Sequence, residues 1–187
     1  MYHEYITTVD DGDDLDQCQI IDNIEFLSVG ENLIGVIMTP VCDIAQDKVD
    51  HFNLCALLPF EDYFFKTILK NFKVDKYAFK NSLSKSKAKE INKFLVSFLN
   101  NQLPRFHYIG DLINEDGLWY IDYQLIQSVH VNRASNLLKN RLAKISSPLK
   151  ESIFVRFAHY LGRVGLNGEN EDRIREAERI TAYLQTS

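Results

Sequence analysis

Apolar and polar positions change period several times along the chain, and each change marks an element. Residues 18–27 (CQIIDNIEFL) mix β-branched side chains with partial alternation, which predicts a strand. A Gly-centred turn follows at 28–32. The nearly unbroken apolar run at 33–41 predicts a strand buried on both faces, with Pro40 at its end because proline has no N–H for a ladder. Residues 51–58 form the return strand, with Phe52, Leu54, Ala56 and Leu58 on one face and His51, Asn53, Cys55 and Leu57 on the other. Together these runs read as a buried hairpin. Its polar connector, 42–50, opens with Cys42 and Asp43.

After Pro59 the period lengthens. Phe60, Phe64, Ile68 and Phe72 recur at helical spacing. A second helical stretch spans about 76–101; it is amphipathic at Ile91, Phe94, Leu95 and Phe98, whereas its middle, KNSLSKSKAKE, is polar and lysine-rich. Strands resume at 105–109 and 118–131, joined by a turn at Asn114–Gly117, where Asp-Gly tolerates positive φ. Asn132 or Ser135 is placed to cap a helix reaching about Lys144. Ser147–Pro148 starts another that runs to about Arg163, and a last helix is expected over 171–184. Strands, a helical insertion at about 60–103, a hairpin and a C-terminal helical cap at about 132–187 predict an α+β fold in a single domain over 1–187. Its sheet is expected to be a small bent antiparallel sheet or an SH3-like half-barrel.

Composition narrows the class. Apolar content of 45 % and charged content of 25 % are ordinary globular values. No apolar run approaches the roughly 18–20 residues of a spanning helix. The opening MYHEYITTVDDGDD is too acidic for a secretory signal. Cys18, Cys42 and Cys55 are odd in number and sit in or beside apolar segments, so they read as buried free thiols rather than a disulfide frame. A cytoplasmic location without membrane contact is expected.

Charge is strongly segregated. Residues 1–62 hold 14 acids against one base (Lys48), a net −13, while residues 132–163 hold seven bases against one acid (Glu151), a net +6. Such asymmetry either steers a charged partner or is neutralised when the two ends pack together, and the second reading is preferred.

Two places carry candidate chemistry. Cys42 and Asp43 stand at the lip of the first hairpin, where a rigid sheet commonly supports functional loops. Asp43 equally suits a turn cap, and a nucleophilic Cys42 would need a base, for which His51 is the nearest candidate by sequence. Zinc shared by His51 and Cys55 is excluded by strand geometry, since four residues span about 13 Å while zinc ligands lie about 2.0–2.3 Å from the ion. The second place is the helix after Pro148. Leu149, Ile153, Phe157 and Leu161 form its apolar stripe, joined by Phe154 and Tyr160, while Arg156, His159 and Arg163 share another face. That cationic face suits phosphate, an acidic partner or an acidic part of the same chain, or plain solvation. If the stripe packs on the sheet, Arg156 or Arg163 comes within about 15 Å of Asp43, near the 42–50 connector. Asp11, Asp13, Asp14 and Asp16 lack the Gly and Glu spacing of a calcium loop and read as a solvated acidic arm. There is no phosphate-cradling glycine loop, no G-x-S-x-G, no H-E-x-x-H and no C-x-x-C pair. No metal or cofactor is expected.

The segment IMTPVCDIAQDK (37–48) resembles the "TQxCDIA"-type hairpin of small uncharacterised bacterial proteins, and SSPLKESIFVRFAHYLGRVGL (146–166) resembles their C-terminal motif SPxxxxxxxRFAxYxxRxGL. Pro40 stands where that resemblance leads one to expect Gln. The resemblance implies a stand-alone cytoplasmic domain associated with mobile-element or defence neighbourhoods. The β-rich front half also resembles, at fold level, the SH3-like barrel of the MazF/PemK endoribonuclease toxins.

Three functional expectations follow. The first is a non-enzymatic binding or regulatory module acting through protein partners, with Cys42, Asp43, Arg156, His159 and Arg163 as the binding set. The alternative is an endoribonuclease-type toxin or effector in which Asp43, Arg156, His159 and Arg163 surround one cleft, with Asp43, His159 and Arg163 as catalytic candidates, the histidine as general acid–base and arginine holding phosphate. The third is a sensor of an anionic small molecule. Nucleic acid is the less favoured partner, because an acidic front half has the wrong sign for an RNA groove.

Overall fold

Alternation along β4 (His51–Pro59) organises the architecture, because both of its faces are apolar. Leu54 and Ala56 enter one core and Cys55 and Leu57 the other, as the sequence pattern requires. A computed structural model describes residues 2–10, 12–112 and 115–165, apart from the side chains of Tyr2, His3, Glu115, Asp116 and residues 163–165. Seven strands build one open antiparallel sheet in the order β1-β7-β2-β3-β4-β6-β5. The remaining strands are β1 (Ile6–Thr7), β2 (Gln19–Phe26), β3 (Glu31–Ile37), β5 (Phe106–Leu112), β6 (Glu115–His130) and β7 (Arg141–Ile145). The chain is thus α+β with an antiparallel sheet, as its pattern predicts.

The sheet is bent. The helical turn Tyr2–Tyr5 touches β5 at one edge, while β1, the next two residues, pairs with β7 at the other. The two edges therefore curl towards each other. Their inner face collects Ile6, Ile20, Val36, Cys55, Leu57, Ile109, Ile121, Ala143 and Ile145, at least one residue from every strand. One helix, α7 (Leu149–Gly165), fills this concavity with Leu149, Ile153 and Phe157. Three of the four stripe residues named from spacing are buried; Leu161, a turn further on, is 45 % exposed.

The outer face has two covers. Over β2, β3 and β4 lie α1 (Val41–Ala45) and α6 (Ala134–Lys139), which contribute Ile44, Ala134 and Leu137 to a second core with Ile21, Ile24, Phe26, Ile37 and Leu54. Over β5 and β6 lies the helical insertion: α2 (Phe60–Tyr63), a π-helical turn (Phe64–Ile68), α3 (Leu69–Asn71), α4 (Lys76–Asn81) and α5 (Lys85–Leu99). Phe60, Phe64, Ile68, Ile91 and Phe98 pack there against Phe106 and Tyr120. The lysine-rich middle of that segment is helical on either side of a break at 82–84. Asp75 caps α4 and Ser84 caps α5, each through its side chain.

Two boundaries differ from the pattern. The helix expected to reach Lys144 stops at Lys139, and Arg141–Ile145 becomes β7, pairing with β2 and β1. The turn expected at Asn114–Gly117 is displaced: Leu112 pairs with Glu115, and Gly117 (φ 122°) lies inside β6 beside the irregular register near Gly110. Residues 113–114 lie outside the described residues, as do loop 167–172 and the helix expected over 171–184.

An ion pair between a buried carboxylate and a half-exposed guanidinium ties the chain entering β5 to β6. Between Cys55 and Ala56 the register against β6 slips past Tyr123, Gln124 and Leu125, and Asp122 ends beside that irregularity. Asp122 is 2 % exposed and accepts from Arg105 Nε at 2.8 Å and Nη2 at 2.6 Å, and from Gln124 N–H at 3.0 Å. Its carboxylate holds Arg105 above its ordinary pKa. Removing the guanidinium leaves a buried charge with one weak partner. Arg105→Ala is expected to lower unfolding stability by about 2–4 kcal/mol, read as a fall in urea midpoint; the double variant R105A/D122N is expected to recover part of that loss.

Candidate functional site

Five segments converge on an open groove on the outer face. The ends of β2, β3, β4 and β6 and the side of α6 enclose a groove of about 980 Å³. Its walls hold Asn23, Asn32, Gln127, Asn132, Asn136 and Asn140, two histidines, and Arg133 and Lys139 against one acid, Glu25. β-sheet register places His51 directly opposite His130, and the rings meet edge to face with centroids 4.9 Å apart. His130 Nδ1 also accepts from Asn132 N–H at 3.2 Å and so starts the helical turn Val131–Arg133 that leads into α6.

Part of this amide set is already committed. Gln127 Oε1 accepts from Leu27 N–H at 3.0 Å, and Asn32 Nδ2 donates to Asn23 Oδ1 at 2.8 Å. Both bonds stiffen the β2–β3 rim, where Leu27 is 70 % exposed. Arg133 and Lys139 form no ion pair among the described residues, so the groove keeps two free cations. Chemically it is a surface of neutral donors and acceptors with mild positive charge. The polar run QSVHVNRASN (127–136) that follows the apolar part of β6 is the sequence signal for it; the contributions of Asn23, Asn32 and His51 have no local signal.

Of the residues named for chemistry from the sequence, His51 lines this groove, whereas Cys42, Asp43, Arg156 and His159 lie elsewhere. Cys42 and Asp43 sit on α1 rather than at a strand end, and Cys42 is exposed rather than buried. Its Sγ donates to Asp43 Oδ1 at 3.7 Å. Asp43 makes no side-chain cap; Pro40 occupies the N-cap. Cys18 and Cys55 are buried free thiols as expected, and burial pushes Cys18 up to about 12 and Cys55 higher still.

Arg156 is not free to hold an anion. Its Nη2 donates to Leu103 O at 3.0 Å and Phe106 O at 3.1 Å, pinning α7 to the start of β5. His159 is exposed on the same helix. The Arg163 side chain falls outside the described residues. α7 packs on the inner face of the sheet, whereas Ile44 of α1 packs on the outer face. Cys42 and Asp43 are therefore separated from Arg156 and His159 by the sheet itself, and the expected joint cleft is not assembled from these four.

The charge asymmetry is internally neutralised in part. Lys144 Nζ meets Asp13 Oδ2 at 2.7 Å, Lys150 Nζ meets Asp16 Oδ2 at 3.0 Å, and an Arg141 Nη1–H donates to the Asp13 carbonyl. The acidic arm is thus strapped to β7 and α7 rather than solvated. Lys144 holds the Asp13 carboxyl below its ordinary pKa.

Beneath α7 lies a buried polar set that spacing alone does not single out. Tyr123 Oη donates to Ile153 O at 2.9 Å and lies 3.0 Å from His107 Nδ1. Since the hydroxyl proton is committed to the carbonyl, Nδ1–H of a neutral His107 donates to Tyr123. His107 Nε2 is then a buried acceptor without a partner. Burial, with the Arg156 charge nearby, lowers His107 to about 3. The alternation of RFHYI, with Phe106 and Tyr108 on one side and His107 and Ile109 on the other, does signal its inward direction.

No family model matches the chain, and no curated protein matches it.

His107 gives the protein an acid limit. In the unfolded chain an imidazole titrates near 6.5; in the folded chain it does so at about 3. Below roughly pH 6.5 the unfolded state binds a proton that the folded state refuses, so stability is intact above that pH and declines towards pH 3. The slope contributed approaches about 1.4 kcal/mol per pH unit. Urea midpoints are expected to fall from pH 7 to pH 5 in the native sequence, and to fall less steeply in His107→Gln, which is less stable at pH 7. Equal slopes in the two proteins would remove His107 from this role.

Proposed function

We propose that the chain is a non-enzymatic binding module that seats an extended polar segment of a protein partner in the groove beside α6. The observation that carries this reading is the groove's lining: neutral amides from β2, β3, β6 and the α6 region, with two cations that form no ion pair among the described residues, in one open cleft. Each side-chain amide offers donors and an acceptor, the same complement as a peptide group. Amides also shed water at lower cost than charges do. Arg133 and Lys139 favour a segment that carries acids.

A peptide suits these walls better than a nucleic acid. Polynucleotide grooves combine a cationic track with aromatic stacking platforms. Here the walls carry two fixed cations, one acid and no Phe, Tyr or Trp, on a chain of net charge −5. Catalysis by the expected residues draws no support from their placement, since Asp43 and His159 lie on opposite sides of the sheet. The resemblance of segments 37–48 and 146–166 to small bacterial proteins supports a defence or mobile-element setting for such a module.

The test is a comparison of partners recovered on the immobilised native sequence and on Asn136→Trp, which places an indole in the groove from an exposed helical position. A partner polypeptide retained by the first and lost from the second, with unchanged unfolding midpoint, is the expected outcome. In parallel, anisotropy of a labelled single-stranded RNA is measured at low and at physiological salt. RNA binding that persists at physiological salt and vanishes in the double variant R133E/K139E would overturn the protein-partner reading.

A further inference from the structure

The other flank of α6 carries a second pocket of opposite character. It has a volume of about 670 Å³ and lies between the acidic arm, α1 and α6. Asp13, Asp14, Asp16 and Asp47 line it, with Lys144 as its one cation. Two of these acids are already used: Asp13 pairs with Lys144 at 2.7 Å and Asp16 with Lys150 at 3.0 Å. Asp14 and Asp47 are exposed and form no ion pair among the described residues. The rest of the wall is aliphatic, including Leu15, Val41, Ile44 and Leu138.

Carboxylates alone do not make a site. The independent observation is Gln19, which lines the same pocket and is 1 % exposed. Its Nε2 donates to the Asp14 carbonyl at 2.9 Å, which fixes the amide orientation and leaves Oε1 buried without a hydrogen-bond partner. An unsatisfied buried acceptor costs about 1–3 kcal/mol, and few are kept in native proteins. An occupant that brings an N–H or O–H donor, tolerates carboxylates and covers aliphatic walls would suit this lining.

We propose that this pocket receives an alkyl cation: a guanidinium or ammonium group on an aliphatic stem. The head donates to Gln19 Oε1 and pairs with Asp14 or Asp47, while the stem lies on Val41, Ile44 and Leu138, in the way long cationic side chains cover apolar surface. A bare metal ion fits less well. Among the described residues no three His, Cys, Asp or Glu side chains converge to hold one, and an aliphatic wall offers a metal nothing. The volume lies within the range of small-ligand pockets, roughly 300–1,000 Å³. This inference uses the opposite side of α6 from the amide-lined groove and stands or falls independently of it.

The same cation can arrive as a free amine or as an arginine or lysine side chain of a polypeptide. Calorimetric titration of the full chain at low salt separates them with three probes: agmatine, a capped Gly-Arg-Gly tripeptide, and methylammonium as a head without a stem. Saturable one-to-one binding of agmatine or of the tripeptide is expected, with methylammonium at least about fivefold weaker; the tighter of the first two identifies the source. In the exposed double variant D14N/D47N that affinity is expected to drop by at least about fivefold, with the unfolding midpoint retained. Gln19→Leu, which removes the orphan acceptor, is expected to weaken binding further; should it fail to fold, the double variant still decides. Absence of saturable binding, unchanged affinity in D14N/D47N, or equal displacement of the probe by magnesium at matched ionic strength would overturn the proposal.

Discussion

A sheet that is apolar on both faces must be covered twice, and the rest of this molecule follows from how that requirement is met. Its curvature makes the inner face a trough only wide enough for one helix. Leu149, Ile153 and Phe157, four residues apart, enter it. Their insertion fixes the rotation of α7 about its own axis, and so fixes where every other side chain of that helix points. Arg156 is carried to the rim, against the carbonyls of Leu103 and Phe106. A cationic face that looks available on a helical wheel thus becomes a clamp on the edge strand. Lys150, six residues earlier, is drawn to Asp16 in the same way. Apolar packing decides the orientation, and the ion pairs form where it leaves charges close together.

The outer face obeys the same demand with shorter pieces. The insertion covers β5 and β6 with an aromatic cluster in which Phe60, Phe98, Phe106 and Tyr120 contact one another in tilted and edge-to-face geometries. Over β2, β3 and β4 the cover is thin: α1 has five residues, none of them buried, and α6 has six, with Leu137 its one buried residue. A six-residue helix cannot fill the width of the sheet, so a depression remains on each side of it. The sequence around it sets their character. Arg133, Asn136, Lys139 and Asn140 face one flank, and the acidic arm with Asp47 borders the other. Two recesses of opposite polarity on one exposed surface are the by-product of an undersized cover.

What the sequence made legible follows from the range of the forces involved. β2, β3, β4 and β6 announce themselves because burial on a pleated sheet imposes alternation or continuous apolarity on the residues themselves. Strand β7 does not. RLAKI follows the helix-forming ASNLLK, and only pairing with β2 and β1 makes it extended, so Ala143 and Ile145 turn inward while Leu142 stays 41 % exposed. At two residues, β1 is too short to show any period. The stripe on α7 was readable, but the partners of Arg156 were not, since they are main-chain carbonyls that no residue type reveals. Cys42–Asp43 stand out as a pair, yet β3 ends at Ile37 and the short helix that carries them opens after Pro40, which has no N–H for a ladder. The amide-lined groove is assembled from residues as distant as Asn23 and Asn140, so only its β6–α6 portion left a local trace.

Buried polar groups under α7 add a constraint that apolar packing cannot supply. A stripe at i, i+4 and i+8 fits a trough almost equally well when the helix slides by one turn, because each step replaces one apolar side chain with another. Arg156 breaks that degeneracy. Its guanidinium meets two specific carbonyls at the sheet edge, and a slide of one turn would put Ser152 or Tyr160 where it stands, while Tyr123, held by His107, bonds the Ile153 carbonyl and sets how deep the helix sits. Sliding α7 by one turn would forfeit both Arg156 hydrogen bonds, about 1.5–3 kcal/mol each for bonds to a charged group. The histidine must stay neutral for this lock to hold, and the dry surroundings that lower its pKa also keep it so. Register of the central helix therefore rests on a few uncharged or main-chain-directed hydrogen bonds, and the ion pairs at the surface reinforce a position already chosen.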